Sequence, residues 1–354
     1  MSQSPIKSDE TVTFFPTYAT LDDAAAMWHA RVHGWIFETS LRGSLVLSAL
    51  RVSLDLSEDQ VADEIFQRRA RPFAVDNERG KAIPVIFDLD TEPEQVVLDK
   101  SAANGHFFDR VAISKGQILS GQANTASKVS FRAVVRPGDQ RSFSGDIDLI
   151  SPEGLSVISD IDDTIKDSNV SNQKELLRNT FLRPFTAIPG MAERYRAWRN
   201  ESPETFAVHY VTASPWQLFD PLNDFLRDEG FPAGTMHMKL FRLKDRTMFD
   251  LFRDQTKHKT QAISEILRDF PRRRFVLVGD AGEQDPEVYG TIARQHPRQV
   301  AAIYIRNLAG LMRDADRFKI AFADVPGQLW SLFAEGSDLP ESIAGLQADD
   351  ANTL

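Results

Sequence analysis

Gly154-Leu155-Ser156-Val157-Ile158-Ser159-Asp160-Ile161-Asp162-Asp163-Thr164-Ile165-Lys166 is the stretch that decides how the rest of the chain is read. Leu155, Val157 and Ile158 form a short apolar run that reads as a buried strand. It ends in Asp160, Asp162, Asp163 and Thr164. Three carboxylates so close together repel one another, and folding alone gives no reason to gather them at the mouth of an apolar strand. A bound cation or a chemical task does.

Downstream, the rhythm is β-α-β. Met191, Tyr195 and Trp198 mark a helix by their i, i+4, i+7 spacing. Phe206 to Val211 reads as a strand ending at Thr212. Leu218, Leu222, Phe225 and Leu226 mark the next helix, and Ala262, Ile263, Ile266 and Leu267 another. Phe275 to Val278 is a strand ending at Gly279-Asp280, a helix is expected after Pro286, and Val300 to Ile305 is a further strand. Apolar strands alternating with amphipathic helices predict a parallel sheet flanked by helices. Ligands of such sheets bind at the carboxyl ends of the strands.

Upstream, the pattern differs. Residues 1–30 read as a mobile N-terminus with a short helix from Leu21 to Ala30, followed by a first strand at Val32–Phe37. The segment from Leu45 to Leu56 is apolar and ambiguous in type. Ser57 and Gln60 have capping-box spacing and predict a helix to Arg69, whose end Arg68, Arg69 and Arg71 complement. From Ile83 to Leu149 short strands dominate. Asn104-Gly105 signals a turn before Phe107 and Phe108, and Val129 to Val135 alternates with Phe143 to Leu149 across Pro137-Gly138-Asp139 as a hairpin. Residues 31–150 are therefore expected to be a smaller, mainly β, sandwich-like accessory domain. His29, His33 and His106 within it are scattered and read as structural or surface. Residues 151–335 form the α/β domain, and 336–354 read as a loose polar tail.

Composition narrows the function. The 354 residues are 42% hydrophobic and 26% charged, with 24 Phe to fill a core. A net charge of -10 argues against general nucleic-acid binding. With no cysteine there is neither a disulfide framework nor thiolate chemistry. The N-terminus lacks the apolar core of a secretory signal, and no apolar run approaches the roughly 20 residues of a membrane span. The expectation is a cytoplasmic protein, soluble or peripheral at a membrane.

Four polar clusters fall at strand or helix ends: Asp160, Asp162 and Thr164; Thr212 and Ser214; Lys257 and Lys259; and Asp280 with Asp285 in Gly279-Asp280-Ala281-Gly282-Glu283-Gln284-Asp285. Taken singly, each has a plain structural reading as a cap, turn or solvated side chain. Together, a hydroxyl, a lysine and carboxylates able to hold Mg2+ are what a phosphoryl group needs.

Asp160-Ile161-Asp162-Asp163-Thr164 resembles the D-x-D-x-T signature of haloacid-dehalogenase-like phosphatases, and the order of the later clusters is similar to that superfamily's. More narrowly, Ser159 to Lys166, His209 to Leu218 and Gly279 to Tyr289 resemble the actin-patch-associated phosphatidate phosphatase family and its bacterial relatives, which are distantly similar to the lipins. The resemblance covers roughly residues 150 to 310. It implies a haloacid-dehalogenase-like fold, Mg2+ dependence and hydrolysis of phosphatidate to diacylglycerol through an aspartyl-phosphate. Asp160 would be the nucleophile and Asp162 the general acid and base, its backbone carbonyl also touching the metal. Thr164 would position Asp162. Thr212, with Ser214 as alternate, would bond the phosphoryl group; Lys259, with Lys257 as runner-up, would pair with it. Asp280 would complete the Mg2+ shell, with Asp285 in support. Asp163 is left without a chemical role.

Two features bear on the substrate. Residues 239–259 are rich in Lys and Arg, which fits either steering of an anionic headgroup or bilayer, or an ordinary solvated helix. Phe181-Leu182-Arg183-Pro184-Phe185 fits either a lipid-facing groove or core. Arg272 to Arg274 read as surface. Two other functions remain open: a phosphatase of a soluble phosphomonoester on the same machinery, and a binding or scaffold protein that retains the fold.

Overall fold

The computed structural model describes residues 5–39, 48, 51–52, 54–57, 60, 63–89, 94–118, 128–241, 255–308 and 310–347. Half of the Leu45–Leu56 segment and the residues from 242 to 254 lie outside the described residues. The chain divides into two compact units. One comprises residues 1–47, 73–151 and 234–236; the other comprises 48–72, 152–233 and 237–354.

The first unit holds a nine-stranded sheet. Its strands are β1 (Glu10–Phe14), β2 (Thr17–Asp22), β3 (Met27–Glu38), β4 (Asp76–Asn77), β5 (Pro84–Phe87), β6 (Gln95–Val97), β7 (His106–Ser114), β8 (Lys128–Ala133) and β9 (Ser144–Leu149). The 12-residue β3 is the spine. It pairs antiparallel with β1 and β2 along one edge and with β4 and β7 along the other. The β8–β9 hairpin forms with Val129 opposite Ile147 and Phe131 opposite Gly145. Phe14, Val32, Phe107, Phe131 and Ile147 meet in the core.

Two expectations for the N-terminus are corrected here. Residues 5–18 are ordered: Ile6 is buried, and Lys81 Nζ donates to Glu10 at 2.5 Å. Leu21 to Ala30 is not a helix: it ends β2, turns at residues 23–26 and begins β3. The helix-favouring Ala24, Ala25 and Ala26 sit in that turn, where Asp22 accepts from the amides of Ala24 and Ala25 at 3.0 and 3.1 Å. Pairing of Ala19 with Ala30 and of Leu21 with Trp28 overrides the local propensity.

The second unit is α/β. Its strands are β10 (Glu153–Ser159), β11 (Ala207–Pro215), β12 (Thr235–Lys239), β13 (Arg272–Asp280), β14 (Val300–Arg306) and β15 (Trp330–Phe333), in the spatial order β12-β11-β10-β13-β14-β15. β10 runs parallel to β11 and β13, and β14 runs parallel to β13 and β15. The helices are α1 (Glu64–Ala70), α2 (Gln173–Phe181), α3 (Met191–Glu201), α4 (Phe219–Asp228), α5 (Gln255–Asp269), α6 (Asp285–Gln295) and α7 (Asp316–Ala321). As their spacing predicts, Met191, Tyr195 and Trp198 of α3 and Leu222, Phe225 and Leu226 of α4 are buried. Each such side chain contributes about 1.5–3 kcal/mol of burial.

Three further corrections concern this unit. The upstream helix starts at Glu64, capped by Asp63, which accepts from the amides of Ile65 and Phe66; the Ser57–Gln60 hydrogen bonds form ahead of it. It also belongs to the α/β unit and not to the β unit that surrounds it in sequence. Arg273 is not at the surface. It is 1% exposed and donates to the Ser156 hydroxyl and to the carbonyls of Glu153, Leu155 and Thr205. It ties the starting ends of β10 and β13 to the residues that lead into β11. The described part of the expected loose tail, residues 336–347, is packed: Leu339 and Ile343 are buried, and the Pro340 carbonyl accepts from the Trp198 indole at 2.9 Å. Two apolar side chains within a polar composition suffice to anchor it.

Candidate active site

β10 is flanked by parallel strands on both edges, so its residues from Leu155 onward are all buried. The chain beyond Ser159 must turn at the carboxyl end of the sheet. The Asp160 amide still bonds the Val278 carbonyl at 2.9 Å, and the amides of Ile165 and Lys166 both return to the Ile161 carbonyl at 3.0 Å.

Asp163 makes this turn. Its φ is 56°, a left-handed conformation that Asp tolerates better than most residues. Its carboxylate accepts from the amides of Ser168, Asn169 and Val170 at 2.7, 2.8 and 2.6 Å. Arg306 Nη1 donates to its carbonyl at 2.8 Å. The acid to which the sequence assigned no chemistry therefore organises the loop that presents the other two.

Asp160 is fully buried. Its Oδ2 accepts from Thr164 Oγ1 at 3.0 Å, and its Oδ1 faces Lys259 Nζ at 2.8 Å. Thr164 thus holds Asp160, not Asp162 as the resemblance implied, because the turn folds its hydroxyl back toward the strand end. Asp162 is held from four sides. Oδ1 faces Lys166 Nζ at 2.7 Å and accepts from Ser168 Oγ at 2.7 Å. Oδ2 accepts from Thr212 Oγ1 at 3.2 Å and Ser214 Oγ at 2.8 Å. The two hydroxyls expected on a phosphoryl group are here spent on Asp162.

The two lysines separate by burial. Lys257 is exposed in the first turns of α5, and Lys259 is 1% exposed. Besides Asp160, Lys259 Nζ pairs with Glu283 Oε2 at 2.8 Å and Asp285 Oδ1 at 2.6 Å. Asp285, at the start of α6, turns Oδ2 to the Asp280 amide at 3.2 Å. That close approach requires Gly279, since a Cβ there would collide with the Asp285 carboxylate. Asp280 Oδ1 accepts from the amides of Gly282 and Glu283 at 2.6 and 3.0 Å. Its Oδ2 is buried with no hydrogen-bond partner among the described residues.

Glu283 is the residue that the sequence reading missed. Carboxylate oxygens of Asp160, Asp280 and Glu283 lie within 4.8 Å of one another, all buried. The signal was present in Gly279 to Asp285, but the spacing of the two aspartates drew the reading past the glutamate between them. Lys166 and Ser168, which hold Asp162, were also passed over.

The electrostatics follow from the count. Among the described residues, Asp160, Glu283 and Asp285 pair with one ammonium, that of Lys259, and Asp280 lies against Asp160 and Glu283. Burial, reinforced by the other carboxylates, pushes the carboxyls of Asp160 and Asp280 well up and raises Glu283 to about 7. Burial opposes the charge on Lys259, but Asp160, Asp285 and Glu283 hold it well above its ordinary value. Asp162 goes the other way. Burial alone would raise it, yet Lys166 and the donated hydrogen bonds bring it down to about 2. A surplus of buried carboxylates, with one oxygen unpartnered, is the donor set of a hard divalent cation. Asp160, Asp280 and Glu283 could hold one. Asp162 and Asp285 have their side-chain oxygens engaged elsewhere.

Residues 155–307 match the family model described as the catalytic domain of phosphatidate phosphatase APP1. The chain is 36% identical over 168 residues to phosphatidate phosphatase APP1 of Saccharomyces cerevisiae, which covers 47% of this chain and 28% of the yeast protein. It is 27% identical over 172 residues to an uncharacterised protein of Schizosaccharomyces pombe, covering 48% of this chain and 27% of that one. The chain thus spans little more than a quarter of the length of these relatives. A solved structure of an exo-β-D-glucosaminidase covers 84% of this chain and 33% of its own, at 10% identity and a TM-score of 0.27, which is too low to carry an argument.

Proposed function

We propose that a chain matching the APP1-type phosphatidate phosphatase catalytic domain over residues 155–307 is itself a phosphoric monoester hydrolase of haloacid-dehalogenase type, releasing phosphate from phosphatidate with Mg2+. The observation that carries the reading is the meeting of Asp160, Lys259 and the Asp280–Glu283 pair at the carboxyl ends of β10 and β13. That meeting joins a buried nucleophile, a buried cation and a metal-competent carboxylate set.

In this reading an Asp160 oxygen attacks phosphorus, and the bond from phosphorus to the diacylglycerol oxygen breaks. Asp162 gives a proton to the departing oxygen. Water then attacks the aspartyl-phosphate, Asp162 takes the proton from that water, and Asp160 is regenerated as phosphate leaves. The net change consumes one water. The ionised Asp162 of the resting site suits the second half; the first half needs the protonated form, which the Lys166 ion pair disfavours. Lys259 orients Asp160 and neutralises charge on the transferred group. Mg2+ held by Asp160, Asp280 and Glu283 would neutralise phosphoryl oxygens and the surplus carboxylate charge. Thr212 and Ser214 orient Asp162, and either hydroxyl can turn to a phosphoryl oxygen once substrate enters.

The substrate would be a phospholipid, reached by peripheral contact with a membrane. Among the described residues no helix is long and apolar enough to cross one. The test is phosphate release from phosphatidate in mixed micelles, with and without Mg2+, for the wild type and Asp160→Asn. Mg2+-dependent release lost in the variant supports the proposal. Equal or faster turnover of a soluble phosphomonoester overturns the lipid assignment, and no turnover of any monoester overturns the enzyme.

A further inference from the structure

Lys166 enters the scheme above only through its ion pair with Asp162, yet it is the most confined cation beside the acid–base residue. Its side chain is 2% exposed. Its ammonium lies 2.7 Å from Asp162 Oδ1 and donates to Ser168 Oγ, which in turn donates to the same Asp162 oxygen. Thr212 and Ser214 take the other oxygen. A carboxylate has about four lone-pair positions, so these donors fix the plane of Asp162 completely.

Something must hold Lys166 there. The ammonium lies 4.7 Å from the centroid of the Phe185 ring. Phe185 is half-buried, in the segment between α2 and α3, and that segment is stitched to the loop that follows β10. The Asp167 amide bonds the Thr186 carbonyl at 2.9 Å, and the Ile188 amide bonds the Ile165 carbonyl at 3.0 Å. A second cation covers the same ring: the Arg69 guanidinium carbon is 3.6 Å from its centroid. Arg69 donates to the carbonyls of Asn179, Thr180 and Arg183 at 3.3, 2.8 and 2.7 Å. It therefore caps α2 and clamps the segment that carries Phe185.

For stability alone this is an odd construction. A buried ion pair is often no better than an apolar pair of the same volume. What the ammonium adds is direction, which catalysis rewards steeply. We propose that Lys166, held by Phe185 and behind it by Arg69, is a positioning residue for Asp162. The α1 segment, which lies outside the matched residues 155–307, is then part of the support of the active site. This inference rests on Asp162 being the acid–base group.

The experiment is steady-state kinetics on phosphatidate micelles with Mg2+, for Lys166→Met, the milder Phe185→Leu and Arg69→Met, and for Lys166→Met combined with Asp162→Asn. Melting temperatures are measured alongside, so that only folded variants are compared. The expected result is a kcat lowered about tenfold to a hundredfold in Lys166→Met and several-fold in Phe185→Leu and Arg69→Met. KM should stay within about twofold, and Lys166→Met should add less than about twofold to Asp162→Asn. Unchanged kcat in folded Phe185→Leu and Arg69→Met overturns the clamp. A Lys166→Met effect that is undiminished in the Asp162→Asn background overturns the positioning role. Should Asp162→Asn itself leave kcat unchanged, the acid–base reading falls, and this inference with it.

Discussion

Lys259 Nζ stands 2.8 Å from Asp160 Oδ1 with both side chains out of contact with water, although the two residues come from different elements of the parallel-sheet unit. The same ammonium also compensates Glu283 and Asp285. One cation thus restrains several buried acids, and the first prediction follows from its removal.

Lys259→Met should abolish phosphate release and destabilise the fold by about 3–5 kcal/mol, because it leaves buried carboxylates without a counter-charge. Lys257→Ala, at an exposed position, should change stability by no more than about 0.5 kcal/mol. Denaturant melts and phosphate release of the two variants side by side decide which lysine serves the site.

Glu283→Gln separates stability from metal binding. Burial and the neighbouring acids raise the Glu283 carboxyl to about 7, so an amide there relieves repulsion in the metal-free protein. The metal-free melting temperature should hold or rise. The upward shift produced by added Mg2+ should shrink, with apparent affinity falling about tenfold or more. A full Mg2+ shift in the variant, read by thermal melting without substrate, would remove Glu283 from the metal set.

Arg273→Met tests the opposite end of the same strands. Its guanidinium is brought down to about 9 by burial, and it satisfies three backbone carbonyls together with the Ser156 hydroxyl. Leaving those carbonyls unpaired should cost about 2–3 kcal/mol in urea denaturation. The exposed neighbouring change Arg272→Met should cost no more than about 0.5 kcal/mol.

The β unit should be acid-sensitive through His106. Its ring meets His33 Nε2 at 3.0 Å, and burial depresses its pKa from 6.5 to about 3. Below pH 6.5 the unfolded chain takes up a proton that the folded ring refuses until about pH 3. Stability from this group is complete above that window and is lost as pH falls through it, at about 1.4 kcal/mol per pH unit. Melting temperatures of the wild type and His106→Gln measured from neutral to acid should converge in slope only above the window. Identical slopes within it would refute the assignment.

Much of the fold was legible beforehand. Parallel strands buried on both faces must read as apolar runs, so β10, β11, β13 and β14 announced themselves, and their carboxyl ends marked the site. Leu21 to Ala30 failed for the converse reason. Its alanines favour a helix locally, and only pairing of β2 with β3 reverses that preference. The α1 helix was legible as a helix but not as a member of the α/β unit, because Arg69 finds its carbonyl partners more than a hundred residues away.

By itself, the sequence determined that an acid-rich strand end sits in a β-α-β chain whose later strand and helix ends bring a hydroxyl pair, a lysine and a second acid pair. Those features depend only on local periodicity and residue type. The tertiary structure decided which lysine is buried, that Thr164 bonds Asp160, that Asp163 shapes the loop, that Glu283 joins Asp160 and Asp280, and that Lys166 pairs with Asp162. These are statements about which polar atoms are removed from water together. That is settled by side-chain geometry between distant segments, which spacing along the chain does not encode.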